Sequence, residues 1–197
     1  MAQAGTFDGR DIARIAVFAA IIVALGLVGP IPVPGLVPIT AQTLGVMLAG
    51  AVLGWRNGAL AVLVVIVLVA VGLPVLSGGR GGIGVFVGPS AGYLFGWLAG
   101  AALTGLIAHS GGRPLRWWRV ALGCVVGGIL AIYAFGIPVQ SLVTGLPIGD
   151  AAIASLAFLP GDAIKAALAT VLTLALQRAY PPAFSGVRAA GSSVRAR

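Results

Sequence analysis

Two ionisable side chains stand where the chain is otherwise apolar. Asp162 and Lys165 lie within Phe158-Leu159-Pro160-Gly161-Asp162-Ala163-Ile164-Lys165, and from Ala163 to Gln177 Lys165 is the only ionisable residue. A spacing of three puts both side chains on one face of a helix. Pro160 suits the first helical position, where its missing N–H costs nothing, so the segment reads as a helix start with an acid and a base in its first turns. Alanine, leucine, valine and threonine fill the remainder, which is the composition of a lipid-spanning helix. An Asp or Lys at the centre of such a helix costs about 2.5–3.5 kcal/mol on insertion scales, so these groups pair, face the bundle interior or line a polar cavity. Their chemistry is complementary hydrogen bonding, with a carboxylate that accepts and an ammonium that donates. Two readings stand side by side: a structural ion pair between helices, and a ligand site.

Other polar groups sit in comparable settings. Gln42 and Thr43 open a helix after Thr40, whose hydroxyl is a candidate N-cap. Ser77-Gly78-Gly79-Arg80-Gly81-Gly82-Ile83-Gly84 is glycine-rich, with Arg80 its one cation, and lacks the Gly-Lys-Ser/Thr ending of a phosphate-binding loop. Glycines let backbone N–H groups approach a ligand closely. The loop is therefore expected to line a site; the alternative, a flexible linker, would be more polar. No second catalytic carboxylate, nucleophile pair or metal-ligating cluster accompanies Asp162, so no catalytic residue and no metal is assigned. Cys124 is the only cysteine, which excludes an internal disulfide, and His109 is expected in a solvated loop.

The elements that must position these groups follow from composition. Of 197 residues 59% are apolar and 8% charged, against about 25% charged in soluble domains. The chain is expected to be an all-α membrane protein forming one bundle. Apolar runs at 12–28, 40–53, 58–71, 92–108, 121–135 and 160–177 predict six transmembrane helices, the second of them short. Trp55-Arg56-Asn57-Gly58 is expected as a tight turn, 29–38 as a proline-rich outer loop, 73–92 as a glycine-rich one, and 137–149 as a loop. Asp150 is expected to cap a short helix that Pro160 breaks. Segment 1–11 reads as a cytoplasmic N-terminal segment with no cleavable signal, 12–178 as the transmembrane domain and 179–197 as a flexible cytoplasmic tail.

The net charge of +8 is explained by topology rather than by nucleic acid. Arg10, Arg14, Arg56, Arg113, Arg116, Arg119, Arg178, Arg188, Arg195 and Arg197 all fall at the termini or in the second and fourth loops. By the positive-inside rule both termini are cytoplasmic. Gln42, Ser77, Arg80, Asp162 and Lys165 then converge at an outward-facing pocket. On the first helix Ala16, Ala20 and Ala24 form a small-residue stripe, suited to close helix approach or simply to helix formation.

Several stretches resemble the BioY family of biotin transporters. They are Val37-Pro38-Ile39-Thr40-Ala41-Gln42-Thr43-Leu44-Gly45-Val46, Gly72-Leu73-Pro74-Val75, the glycine loop, Gly88-Pro89-Ser90-Ala91-Gly92-Tyr93-Leu94, and the segment around Asp162 and Lys165. They run in the right order across about 12–178. Ser90-Ala91 stands where Thr-Gly is commoner, and the glycine loop offers Ser77 and Arg80 where some relatives carry a side-chain amide. The resemblance implies a six-span S component of an energy-coupling factor (ECF) transporter, not an enzyme, in a prokaryotic cytoplasmic membrane. It implies biotin as the transported ligand, no cofactor, and as partners a transmembrane coupling subunit and two ATPase subunits. The expected substrate-binding set is Asp162, Lys165, Gln42, Thr43, Ser77, Gly78, Gly79, Arg80, Gly81, Gly82 and Tyr93, with an apolar wall from Val33, Leu36, Phe86 or Tyr93. Ala16, Ala20 and Ala24 are the expected docking stripe for the coupling subunit. The competing readings are an S component for another small vitamin, an intramembrane enzyme using Asp162, and a structural subunit without a ligand.

Overall fold

A chain in lipid must satisfy its backbone hydrogen bonds internally, and helices do so segment by segment. The computed structural model describes residues 8–30, 37 and 39–184. The expectations for 1–7, for Val33 and Leu36 in the proline-rich loop, and for the tail from 185 lie outside these. Among the described residues there is no strand, and the α-helices are α1 (Gly9–Gly26), α2 (Gln42–Ala70), α3 (Ala91–His109), α4 (Trp117–Val125), α5 (Ile132–Thr144), α6 (Ile148–Ser155) and α7 (Leu159–Ala179). Four stretches, Gln42–Ala70, Ala91–His109, Trp117–Thr144 and Ile148–Ala179, are long and apolar enough to cross a membrane. α1 differs from these in carrying three charged residues, Arg10, Asp11 and Arg14, in its first turns.

α2 is not one rod. Gly54 leaves the helical region at φ 80°, ψ 178°, and a Cβ built on Gly58 would lie 2.8 Å from the Ala49 carbonyl oxygen. Residues nine apart along a straight helix cannot touch, so the chain doubles back at Gly54 into antiparallel arms, 42–53 and 55–70. The turn expected at Trp55–Gly58 is thus the first turn of the second arm. That backbone region is open essentially to glycine alone. Gly54→Ala is expected to lower stability by about 1–3 kcal/mol, read as a fall in the thermal unfolding midpoint of the purified protein.

Other boundaries shift for identifiable reasons. α4 and α5 join through a π-helical turn at Val126–Ala131, and the rod continues to Thr144. The loop expected from 137 is therefore helix up to Gly145, where φ reaches 73°. Pro138 sits inside it, as spanning helices tolerate. Thr40 does not cap α2, because Ala41 occupies that position without a side-chain bond. Asp150 lies in the first turn of α6 behind Pro147 instead of capping it. Pro160 does open α7, joined to α6 by a tight turn at Leu156–Phe158.

Glycines set the closest approaches. A Cβ on Gly96 would stand 2.9 Å from the Ile132 carbonyl oxygen, and one on Gly100 2.8 Å from that of Gly127. α3 therefore packs backbone to backbone on the α4–α5 rod, as small residues permit in membranes. At one end of the bundle Asn57 donates to Asp11 at 3.2 Å, Arg14 to the Pro182 carbonyl at 2.7 Å, and the Leu115 N–H to Gln177 at 2.8 Å. His109 is buried there against the Ala51 carbonyl, 2.9 Å from its Nε2, not in a solvated loop. These links gather Arg10, Arg14, Arg56, Arg113, Arg116, Arg119 and Arg178 at that end. Arg80 and Lys165 are at the other.

Candidate functional site

At the end opposite the arginines a cavity of about 640 Å³, its mouth included, opens between α2, α3, α5 and α7. Val37, Ile39, Leu76, Val85, Leu94, Trp97 and Ile132 give it an apolar wall, and Thr43, Arg80, Tyr93, Tyr133, Asp162 and Lys165 contribute polar groups.

The helical spacing of Asp162 and Lys165 produces direct contact: Lys165 Nζ donates to Asp162 Oδ1 at 2.8 Å. The ammonium also donates to Thr43 Oγ1 at 3.0 Å, which brings the first arm of α2 onto α7. Tyr133 Oη donates to Asp162 Oδ2 at 2.7 Å. The carboxylate is thus held from both oxygens, and both members of the pair are largely buried. An ammonium has three donors, and two are used here. The carboxylate retains lone pairs for a further N–H. The pair can accept and donate at the same place.

Arg80 approaches from the glycine loop. Its Nε donates to the Ser77 carbonyl at 3.3 Å and its Nη1 to Ser90 Oγ at 3.3 Å. Of five guanidinium N–H donors three remain, on a side chain that lines the cavity. That arrangement is suited to an anionic group.

The loop itself is built for turning. Gly78, Gly79 and Gly82 have φ of 79°, 68° and 86°, and Gly81 is pressed against the Leu73 backbone. The Leu76 and Arg80 N–H groups bond each other's carbonyls at 3.0 and 3.2 Å, and the Gly82 N–H bonds Val69 at 2.8 Å. The Ser77 N–H bonds Gln42 Oε1 at 2.9 Å. Ser77, Gly78, Gly79, Gly81 and Gly82 accordingly do not line the cavity. In the structure they shape the loop that carries Arg80. Gln42 lines the cavity, as expected, and also braces it. Its Nε2 donates to the Ile22 and Val75 carbonyls at 3.1 Å each, so both amide donors stitch α1 and the loop to α2. Phe86 stacks against Phe95 with centroids 5.9 Å apart and stands outside the cavity.

A family model described as "BioY family" matches residues 1–182. The chain belongs to the BioY family. Among its relatives, the "Biotin transporter BioY" of Rhizobium etli is 51% identical over 178 residues, covering 87% of this chain and 95% of that protein. The one of Rhodobacter capsulatus is 49% identical over 183 residues, covering 88% and 96%. A solved structure, "Crystal structure at 2.1 A of the S-component for biotin from an ECF-type ABC transporter", superposes with TM-score 0.81 at 31% identity, covering 88% of this chain and 95% of that one.

Within this BioY chain sequence reasoning missed Tyr133, Phe158, Trp97 and Ser90 as parts of the cavity. Tyr133 carried a readable signal, a phenol inside an apolar run, where a buried hydroxyl needs a partner. Trp97 and Phe158 carried none beyond apolarity. Ala16, Ala20 and Ala24 are exposed along α1, with Ile15, Ala19 and Ile22 buried behind them.

Proposed function

We propose that this chain captures biotin in the cavity and is the substrate-specific subunit of an ATP-driven ECF transporter. The observation that carries the reading is the Asp162–Lys165–Tyr133 group facing a largely apolar chamber, with Arg80 as a second, separate cation. Biotin offers a ureido ring with two N–H donors and one carbonyl, an apolar thioether ring and chain, and a carboxylate. Asp162 accepts from a ureido N–H, Lys165 donates to the ureido carbonyl, and Arg80 holds the carboxylate through charge-assisted bonds. The rings of Tyr93, Trp97 and Phe158 cover the thioether ring and chain. The relatives named as biotin transporters support the choice of ligand.

Six crossings are proposed, the two arms of α2 counting separately, with both termini on the cytoplasmic side of a prokaryotic cytoplasmic membrane. The gathering of seven arginines at one end supports that orientation. So do the exposed Trp55, Trp117 and Trp118 close to them. The cavity then faces outward. Transport energy is assigned to a pair of ATPase subunits, with a transmembrane coupling subunit docked on the Ala16–Ala20–Ala24 face. Biotin is a transported substrate, and the role is capture, not catalysis.

Calorimetric titration of the purified chain tests this. Biotin is expected to bind saturably at one site, and thiamine to give no binding heat. Arg80→Met is expected to weaken biotin by about one to two decades, the loss of a charged hydrogen bond of ~1.5–3 kcal/mol. Absence of biotin binding would overturn the proposal, and preference for thiamine would assign the chain to another vitamin.

A further inference from the structure

Tyr93 presents two faces with different partners. Its ring lines the cavity and meets Phe158 and Tyr133 edge-on, with centroids 6.2 and 6.4 Å apart. Its hydroxyl points away, donating to Gln140 Oε1 at 2.7 Å and lying 2.9 Å from Ser155 Oγ. Neither Gln140 nor Ser155 lines the cavity, and both are buried, at 1% and 0% exposure.

These partners sit on separate elements, Gln140 on α5 and Ser155 on α6. α6 is lightly held. Its buried positions are Ala151 and Ser155, while Ile153 is 67% exposed. Ser155 supplies the one polar side chain on that inward stripe, and Phe158, a cavity wall, follows three residues later. The segment from Gly145 to Pro147 connects α6 to α5 through a left-handed glycine. α6 and Phe158 therefore form a wall hung on a short connection, and the Tyr93 hydroxyl ties it to α3 and α5.

We propose that the Tyr93 hydroxyl is a clasp that holds the α6–Phe158 wall against the cavity and sets how fast substrate leaves. Tyr93 is in this respect a positioning residue: its ring contacts substrate and its hydroxyl acts through Ser155 and Gln140. The identity of the substrate rests on the biotin reading above; the clasp does not.

Two measurements on the full chain in lipid nanodiscs test it. In Tyr93→Phe the ring remains and the hydroxyl is lost. Biotin dissociation is expected to accelerate about tenfold, the effect of one buried hydrogen bond, with association changed less than about twofold. Amide hydrogen exchange across 148–158 without ligand is expected to accelerate by a similar factor, while α3 exchanges as in wild type. Ser155→Ala should reproduce both effects several-fold, and the double variant should add little to Tyr93→Phe, as for two ends of one link. Ser155→Ala decides the matter if Tyr93→Phe does not fold. Unchanged exchange at 148–158 would overturn the clasp. Faster dissociation in Tyr93→Phe with wild-type behaviour in Ser155→Ala would also overturn it, because the hydroxyl would then touch substrate directly. If wild type binds no biotin the ligand reading fails, and the exchange measurement still decides the clasp.

Discussion

Lys165→Met is expected to destabilise the folded protein by about 3–5 kcal/mol and to abolish biotin binding, whereas Asp162→Asn/Lys165→Met should regain the stability without regaining the binding. The asymmetry follows from burial. Asp162 is 5% exposed, and removing its cation leaves a buried carboxylate with only Tyr133 and the distant Thr43 hydroxyl as described partners. Breaking a buried pair from one side costs that amount because an uncompensated charge remains, while replacing both charges is often neutral. The asparagine of the double variant would still accept from the Tyr133 hydroxyl. It would offer the ureido group no charge, and the methionine beside it would offer no donor. Thermal unfolding in detergent gives the stability, and biotin calorimetry gives the binding. A double variant that binds biotin like wild type would make Asp162 and Lys165 a structural pair, the plain alternative to a ligand site.

The second large effect is expected on uptake without loss of capture. Ala16→Trp and Ala20→Trp place bulk on the exposed face of α1, with Ile15, Ala19 and Ile22 still buried against the rest of the bundle. A contact made through small side chains cannot close around an indole. Cells carrying the proposed coupling and ATPase subunits with either variant should take up no labelled biotin above background. The isolated variant should bind biotin within about twofold of wild type. Co-purification of the coupling subunit at wild-type yield with both variants would remove the docking role and leave the alanines as helix formers.

The fold was legible where it rested on hydropathy and opaque where it rested on backbone conformation. The apolar runs marked every long helix, yet the reversal in α2 was placed on Trp55–Gly58, the polar stretch. A single glycine beside it makes the turn at φ 80°, and nothing in residue type separates Gly54 from its many fellows. The continuation past Phe135 was missed; it contains Gly136 and Pro138, residues that lipid-embedded helices tolerate.

The site divides the same way. Asp162, Lys165, Thr43 and Arg80, which line the cavity, stand out in the sequence because charge and hydroxyl in an apolar setting must be answered by a partner. The conformation of the glycine loop was not legible. The Leu76, Arg80 and Gly82 N–H groups are taken up by backbone carbonyls and that of Ser77 by the Gln42 side chain, a pairing that composition does not reveal. Phe158 entered the cavity through tertiary packing, edge-on to Tyr93 and Tyr133, which no local pattern encodes.

The π-helical turn at Val126–Ala131 has a bearing on how the cavity is aimed. A π turn holds one residue more than an α turn, so everything after it is offset by about 100° from an unbroken helix. In α4 the buried face runs through Val120, Gly123 and Cys124 to Gly127. Extended at helical pitch it would arrive at Ala134 and Pro138, yet Ala134 is exposed and the buried positions are Ile132, Gly136 and Gln140. The two halves of the rod are therefore indexed separately, one fitted to α3 near the arginine end and the other turned to point Tyr133 at Asp162. Deleting one residue from 126–131 would swing Tyr133 away from the carboxylate while leaving the phase of α4 intact. The length of that short segment, more than its composition, sets the bearing of the phenol.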